Sequence, residues 1–159
     1  MRIVLFTGAA ALAFATVAQA DIVVRDAYAR SAMANAPTGA AFMILENTGD
    51  SADRLIGVRS DAAHRVELHT HIADANGIMQ MTEVEDGFPI PAHGKHALQR
   101  GGDHVMFMGL TTPFEQGASV AVTLTFENAG DVAVDIPVDL DRKPAQAGAH
   151  GDGHMQKRN

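Results

Sequence analysis

Apolar residues alternate with small or polar residues at a period of two along much of this chain, and no long stretch keeps the period of a helix. The alternation is clearest at residues 120–126 and 132–138, on either side of the turn-forming cluster at residues 127–131. Two such runs predict a β-hairpin with one buried face and one solvated face. Pro137 cannot donate a ladder hydrogen bond, so we expect the second strand to end there or to run along an edge.

Seven further short runs have the composition of strands, at residues 22–29, 40–46, 54–58, 65–71, 78–83, 95–98 and 104–108. Residues 31–38 and 85–94 are predicted to be loops because they contain prolines and, in the second segment, glycines. Nine short strands in one domain predict an all-β fold, a two-sheet β-sandwich of the Greek-key type. We expect Met33 and Met43 to fill gaps in its core.

The two ends of the chain differ from this pattern. Residues 1–20 combine Arg2, an apolar stretch and the small-x-small sequence Ala18-Gln19-Ala20, which predicts a signal peptide cleaved after Ala20. A membrane anchor is the alternative, but the apolar run is shorter than the ~20 residues that a span needs. We therefore expect a periplasmic domain at residues 21–138, without a membrane span after cleavage. Residues 139–159 are polar and rich in Gly and Ala, and we expect a disordered tail.

The charge and composition of the chain exclude several classes of function and of metal site. The net charge is −7, and removing the signal peptide takes away one arginine and no acid, which leaves −8. An acidic chain lacks the electrostatic footprint of a nucleic-acid-binding protein. The chain has no cysteine but has eight histidines and eight methionines, so disulfides and thiolate ligands are excluded. A blue-copper electron-transfer site, which needs a cysteine, is excluded with them.

Three of the predicted strands place histidines or methionines two residues apart, and such residues share a face of a strand. These residues are His69 and His71, Met79 and Met81, and His104, Met106 and Met108. If the three strands meet, a mixed site of imidazoles and thioethers forms. Neutral thioether sulfur suits Cu(I), whereas zinc, calcium and magnesium prefer other donors. The isolated histidines His64, His93 and His96 are expected to be ordinary surface residues.

Several segments resemble the PCu(A)C-type periplasmic copper chaperones. They are residues 66–69, 77–81, 90–92, 101–106, 109–110, 122–127 and 129–130, together with Ala29-Arg30 and residues 39–42 upstream. The resemblance covers nearly all of the predicted domain. It implies a cupredoxin-like form of the β-sandwich.

The resemblance also implies which residues bind the metal. The family pattern is a histidine, a methionine after a fixed spacer, and a His-x-Met pair, and it matches His69, Met81, His104 and Met106 as Cu(I) ligands. Two departures occur. Thr70 stands where the family often has methionine, and the spacer at residues 82–103 is one residue longer than usual. On this pattern His71, Met79 and Met108 are neighbours of the site rather than ligands.

The resemblance implies a function and partners. Family members deliver Cu(I) toward the CuA centre of cytochrome c oxidase, some of them alongside Sco-type thiol proteins. We expect a monomer with this role. We expect no enzymatic activity, because no nucleophile elbow, phosphate loop or recognisably spaced pair of acids appears in the sequence. His150, His154 and Met155 in the tail imply a second, looser site that also suits Cu(II). The alternatives are a copper-sequestering protein without an acceptor and a sandwich module that binds no metal.

Overall fold

The computed structural model of this chain describes residues 21–33 and 35–143, and within them every regular element is a β-strand. The ten strands are β1 (Ile22–Ser31), β2 (Thr38–Asn47), β3 (Asp53–Arg59), β4 (Ala63–Ala73), β5 (Met79–Glu83), β6 (Phe88–Ile90), β7 (Lys95–Leu98), β8 (His104–Leu110), β9 (Ser119–Phe126) and β10 (Gly130–Pro137). Nine of them overlap the nine predicted runs, so the all-β prediction is confirmed. In the described ranges no helix is long and apolar enough to cross a membrane.

The strands form two antiparallel sheets. The smaller sheet has the order β10-β9-β3-β6, and the larger one has the order β1-β2-β8-β4-β5. β2 pairs with three strands of the larger sheet. One of its edges pairs with β1, and the other pairs with β8 through residues 38–41 and with β7 through residues 43–46. This order makes β5 an edge strand and places β4 between β5 and β8.

The core lies between the sheets and is built from the apolar residues of the alternating pattern. Leu45, Phe107 and Val105 come from the larger sheet, and Leu55 and Leu124 come from the smaller one; none of the five is exposed. Burying each aliphatic or aromatic side chain of this kind contributes roughly 1.5–3 kcal/mol. Because one residue in two faces the core, the alternate residues of each strand are free for other purposes.

The predicted hairpin is confirmed: β9 and β10 pair from Phe126 opposite Gly130 to Pro137 opposite Ser119. Pro137 is the last residue of β10, an edge strand of the smaller sheet, as expected. The loop predicted at residues 85–94 is wrong in part, because Phe88–Ile90 forms β6. Among the described strands, this three-residue edge strand pairs with β3 alone, and it tolerates Pro89 at its centre, where a proline would disrupt an inner strand.

Two smaller predictions have opposite outcomes. Met43 is 2% exposed and belongs to the core, as expected. Met33 was expected there too, but it lies in the connection after β1 and is 70% exposed. Met33 lies outside the strands of the described residues, so the alternation that turns every second side chain inward does not apply to it.

The chain beyond β10 continues along the sandwich for a few residues. Asp139 donates its backbone N–H to the Ala29 carbonyl at 2.9 Å, and the Arg142 guanidinium lies 4.5 Å from the centre of the Tyr28 ring. Arg142 also pairs with Asp26. The predicted signal peptide and the tail residues His150, His154 and Met155 lie outside the described residues.

Candidate metal centre

The order of the strands places the three strands that carry the predicted histidine and methionine donors side by side. β4 lies between β8 and β5, and the register places His69 opposite His104 and His71 opposite Met81. Met106 pairs with Glu67 of β4 and, on its other side, with Ala40 of β2. Residues directly opposite in an antiparallel pair share a face, so the predicted ligands meet on one face of the larger sheet.

That face is the one turned away from the core. Leu68, Val105 and Phe107 alternate with the ligand residues along β4 and β8, and all three belong to the buried core. The predicted division of each strand into a core face and a ligand face therefore agrees with the structure. Hydrophobic packing on one side of the strand thus fixes the positions of the donors on the other.

A cavity of about 570 Å³ opens on this face, and most of the predicted donors line it. Met81, His104 and Met106 line it, as does His71, while Phe42 forms an apolar wall beside the His104 ring, 6.1 Å away between centroids. Of the four predicted ligands only His69 is not part of the lining, and its ring centroid lies 6.0 Å from that of His104. Met79 and Met108, on the same strands, do not line the cavity.

Two buried imidazole nitrogens have no hydrogen-bond partner among the residues that the structure describes. They are Nδ1 of His69 and Nε2 of His104, on side chains whose residues are 9% and 2% exposed. A buried polar atom without a partner costs about 1–3 kcal/mol, so such atoms are rare unless a function needs them. A bound metal ion would accept both lone pairs.

The tautomer of His104 follows from its other nitrogen. Nδ1 lies 2.8 Å from the carbonyl oxygen of Gly102, and since a carbonyl only accepts, Nδ1 carries the hydrogen. Nε2 of the neutral ring therefore presents a lone pair. Burial lowers the pKa of His104, with the Gly102 carbonyl acting in the opposite direction, so the ring stays neutral to lower pH than an exposed histidine.

The Gly102 carbonyl belongs to a turn between β7 and β8 that is held at several points. Gln99 donates its N–H to the Asp103 carbonyl at 2.8 Å, and Gly102 donates to the Gln99 carbonyl at 3.0 Å. His96 bonds the Asp103 carboxylate at 2.8 Å and stacks on Phe88 at 5.0 Å. The expectation that His96 is an ordinary surface residue is therefore wrong, since it anchors the turn beside His104. The His93 side chain, in contrast, is exposed and forms its hydrogen bond with Asp50, away from this turn.

His69 is oriented by a carboxylate that its own strand supplies. Nε2 of His69 lies 2.8 Å from Oε2 of Glu67, and Arg65 pairs with the other oxygen of the same carboxylate. The bond from His69 is the main cause that holds the pKa of the Glu67 carboxyl below its ordinary value. An ionised carboxylate accepts, so Nε2–H donates and the lone pair lies on Nδ1, the nitrogen without a partner. Carboxylates commonly orient metal-binding histidines in this way.

Replacing Glu67 with leucine is expected to weaken Cu(I) binding about 10–100-fold, because the acceptor that fixes the His69 tautomer is lost. Nitrogen-15 NMR of the copper-free protein should show the hydrogen of His69 redistributed between Nδ1 and Nε2. Glu67→Gln keeps an acceptor oxygen and should keep the tautomer. Glu85→Leu, in the exposed turn before β6, is the matched control. An unchanged tautomer in Glu67→Leu would contradict this role.

A family model described as "Putative lipoprotein LpqE-like" matches residues 22–138, which is nearly the whole of the described sandwich. The chain belongs to this LpqE-like family. The "Putative lipoprotein Lxx21020" of Leifsonia xyli subsp. xyli is 39% identical to the chain over 99 residues. That match covers 62% of this chain and 59% of the relative, so the chain spans about three fifths of its length.

Solved structures of copper-binding domains share the LpqE-like fold of this chain. One is described as the "Copper-bound PCuAC domain from PmoF2"; it is 27% identical, with a TM-score of 0.62 over 78% of this chain and 97% of that one. Another is the Cu(I) form of DR1885 from Deinococcus radiodurans, 33% identical, with a TM-score of 0.58 over 78% of this chain and 83% of that one. The resemblance to the PCu(A)C type and the cupredoxin-like two-sheet sandwich are thereby confirmed.

The donor set differs in kind from the sites of harder metals. Across residues 21–33 and 35–143, no group of three or more His, Cys, Asp or Glu side chains is arranged to hold a metal ion. The candidate set instead combines the imidazoles of His69 and His104 with the thioethers of Met81 and Met106. In their metal-binding forms all four donors would be neutral, and the two thioethers are soft, which suits Cu(I).

Proposed function

We propose that this LpqE-like protein is a periplasmic copper chaperone that binds one Cu(I) ion through His69, Met81, His104 and Met106. The observation that carries the proposal is the pair of buried, unpartnered imidazole nitrogens beside a cavity lined by two thioethers. A core-packing role would explain the methionines but not nitrogens that lack a hydrogen bond. The copper-bound structures of similar domains support the choice of metal.

The site suits transfer as well as binding. His69 and His104 are buried, whereas Met81 is 46% exposed and stands on the edge strand β5. An acceptor protein can therefore approach from the side of Met81 and replace its thioether first, before the imidazoles dissociate from the copper ion. A binding protein of this kind needs no catalytic groups, and we propose no enzymatic activity.

Export is a second part of the proposal. The signal sequence at residues 1–20 would direct the chain to the periplasm, where a ligand set without thiols is not lost to disulfide formation. Relatives named as lipoproteins are in keeping with export. We propose that the tail residues His150, His154 and Met155 form a separate, looser copper site.

Delivery to the CuA subunit of cytochrome c oxidase, or to a Sco-type thiol protein, distinguishes a chaperone from a buffer. The Cu(I)-loaded chain is expected to transfer its ion to a reduced, copper-free CuA domain faster than it loses copper to buffer alone. The measurement is the appearance of copper in the acceptor after rapid separation under anaerobic conditions. Transfer no faster than spontaneous dissociation would favour the alternative function, copper sequestration without a dedicated acceptor.

A further inference from the structure

His71 occupies a position that the four-ligand set leaves unexplained. It stands directly opposite Met81 in the β4–β5 ladder and lines the same cavity as Met81, Met106 and His104. Its ring centroid lies 5.1 Å from that of His104, closer than the 6.0 Å between His69 and His104. His71 is thus an immediate neighbour of two ligands.

One backbone carbonyl orients both His71 and His104. The Gly102 oxygen lies 2.8 Å from Nδ1 of His104 and 3.3 Å from Nδ1 of His71. Because the carbonyl only accepts, each Nδ1 carries a hydrogen and each neutral ring offers a lone pair on Nε2. The turn that holds Gly102 therefore prepares two imidazoles as metal ligands, and only one of them belongs to the four-ligand set.

Exposure ranks the donors from the cavity mouth inward. Met81 is exposed, His71 is half-buried, and His69 and His104 are buried. His69, the other β4 histidine, does not line the cavity at all. An ion that comes from solvent or from a partner therefore meets Met81 and His71 before it reaches His69.

We propose that His71 is a fifth copper ligand that holds Cu(I) at an outer position, with Met81 and Nε2 of His104, while the ion is loaded or released. The bond from copper to Nε2 of His71 then breaks while bonds to Nδ1 of His69 and to the sulfur of Met106 form, with Met81 and His104 bound throughout. The step only exchanges coordinate bonds and leaves the copper as Cu(I), so no electron is transferred. The inference rests on the proposed copper-binding function and extends it to the path of the ion.

Removal of an inner ligand and removal of an outer one should change release in opposite directions. His69→Gln is expected to speed the loss of Cu(I) to bicinchoninate, because the bound state is destabilised. His71→Gln is expected to slow both loading and release about tenfold, because the ion loses its contact with the His71 imidazole on the path and the activation barrier for each step rises. The full chain is loaded anaerobically with one equivalent of Cu(I), and release is followed by stopped-flow absorbance.

His64→Gln is the matched control, since His64 is an exposed histidine on the same strand and lines no part of this cavity. Thermal melts establish that each variant is folded, and His71→Asn provides a second variant of smaller size. Release from both His71 variants that is as fast as, or faster than, release from the natural protein would overturn the inference. If the natural protein itself holds no Cu(I) against bicinchoninate, the proposed function fails instead, and the two failures are distinguishable.

Discussion

Replacement of Met81 or Met106 with alanine is expected to weaken Cu(I) binding about 100-fold, equivalent to about 3 kcal/mol. Each substitution removes one thioether from a set of four donors, and the small alanine side chain leaves no alternative donor at that position. Met79 lies two residues from Met81 on the same face, but it is 56% exposed and does not line the cavity. We therefore expect it to replace Met81 poorly.

The measurement is an anaerobic titration of Cu(I) against a chromophoric chelator, with the natural chain and both variants side by side. His93→Gln is the control, because the His93 side chain is exposed and forms its hydrogen bond with Asp50, away from the cavity. Its Cu(I) affinity should equal that of the natural chain. Equal affinity in all four proteins would mean that the cavity thioethers are packing residues and that the ligand assignment is wrong.

Replacement of Phe107 with alanine is expected to lower the free energy of unfolding by about 3–5 kcal/mol. Phe107 is fully buried between the sheets, and its ring packs edge-on against Phe114 at 5.4 Å. Alanine would leave a cavity in the core that the surrounding strands cannot close without breaking their ladders. Denaturant unfolding of the copper-free protein measures the change.

Met106→Ala is the informative comparison, because Met106 precedes Phe107 on β8 but faces the other way. In the copper-free protein, Met106→Ala should change the free energy of unfolding by much less than Phe107→Ala does. Each strand would then separate stability from metal binding on its two faces. Comparable destabilisation by both variants would show that the face assignments along β8 are wrong.

The sequence predicted well whatever depends on local periodicity. The alternation of Leu68 and Val105 with His69 and His104 was enough to assign a core face and a donor face. The methionine pair of β5 followed from the same rule. The hairpin formed by β9 and β10 was equally visible, because both strands and their turn lie within twenty residues.

Features that depend on pairing between distant segments were not predictable in this way. Nothing local to β4 shows that His71 pairs with Met81, since that depends on the register of the β4–β5 ladder. The carbonyl of Gly102 has no sequence signal as a hydrogen-bond acceptor. Glu67, in contrast, did have a sequence signal as a hydrogen-bond acceptor, because it is two residues before His69 and hence on the same face of the strand. β6 was missed because its three residues contain a proline.

The sulfur atoms of this protein are also its most oxidisable groups. Met79 and Met81 stand exposed on the edge strand β5, and peroxides convert such thioethers to sulfoxides. A sulfoxide offers a hard oxygen in place of soft sulfur, so Cu(I) loses a donor it prefers. Oxidation of Met81 would therefore remove one of the proposed Cu(I) donors, and methionine sulfoxide reductases, which reduce the sulfoxide, would restore it.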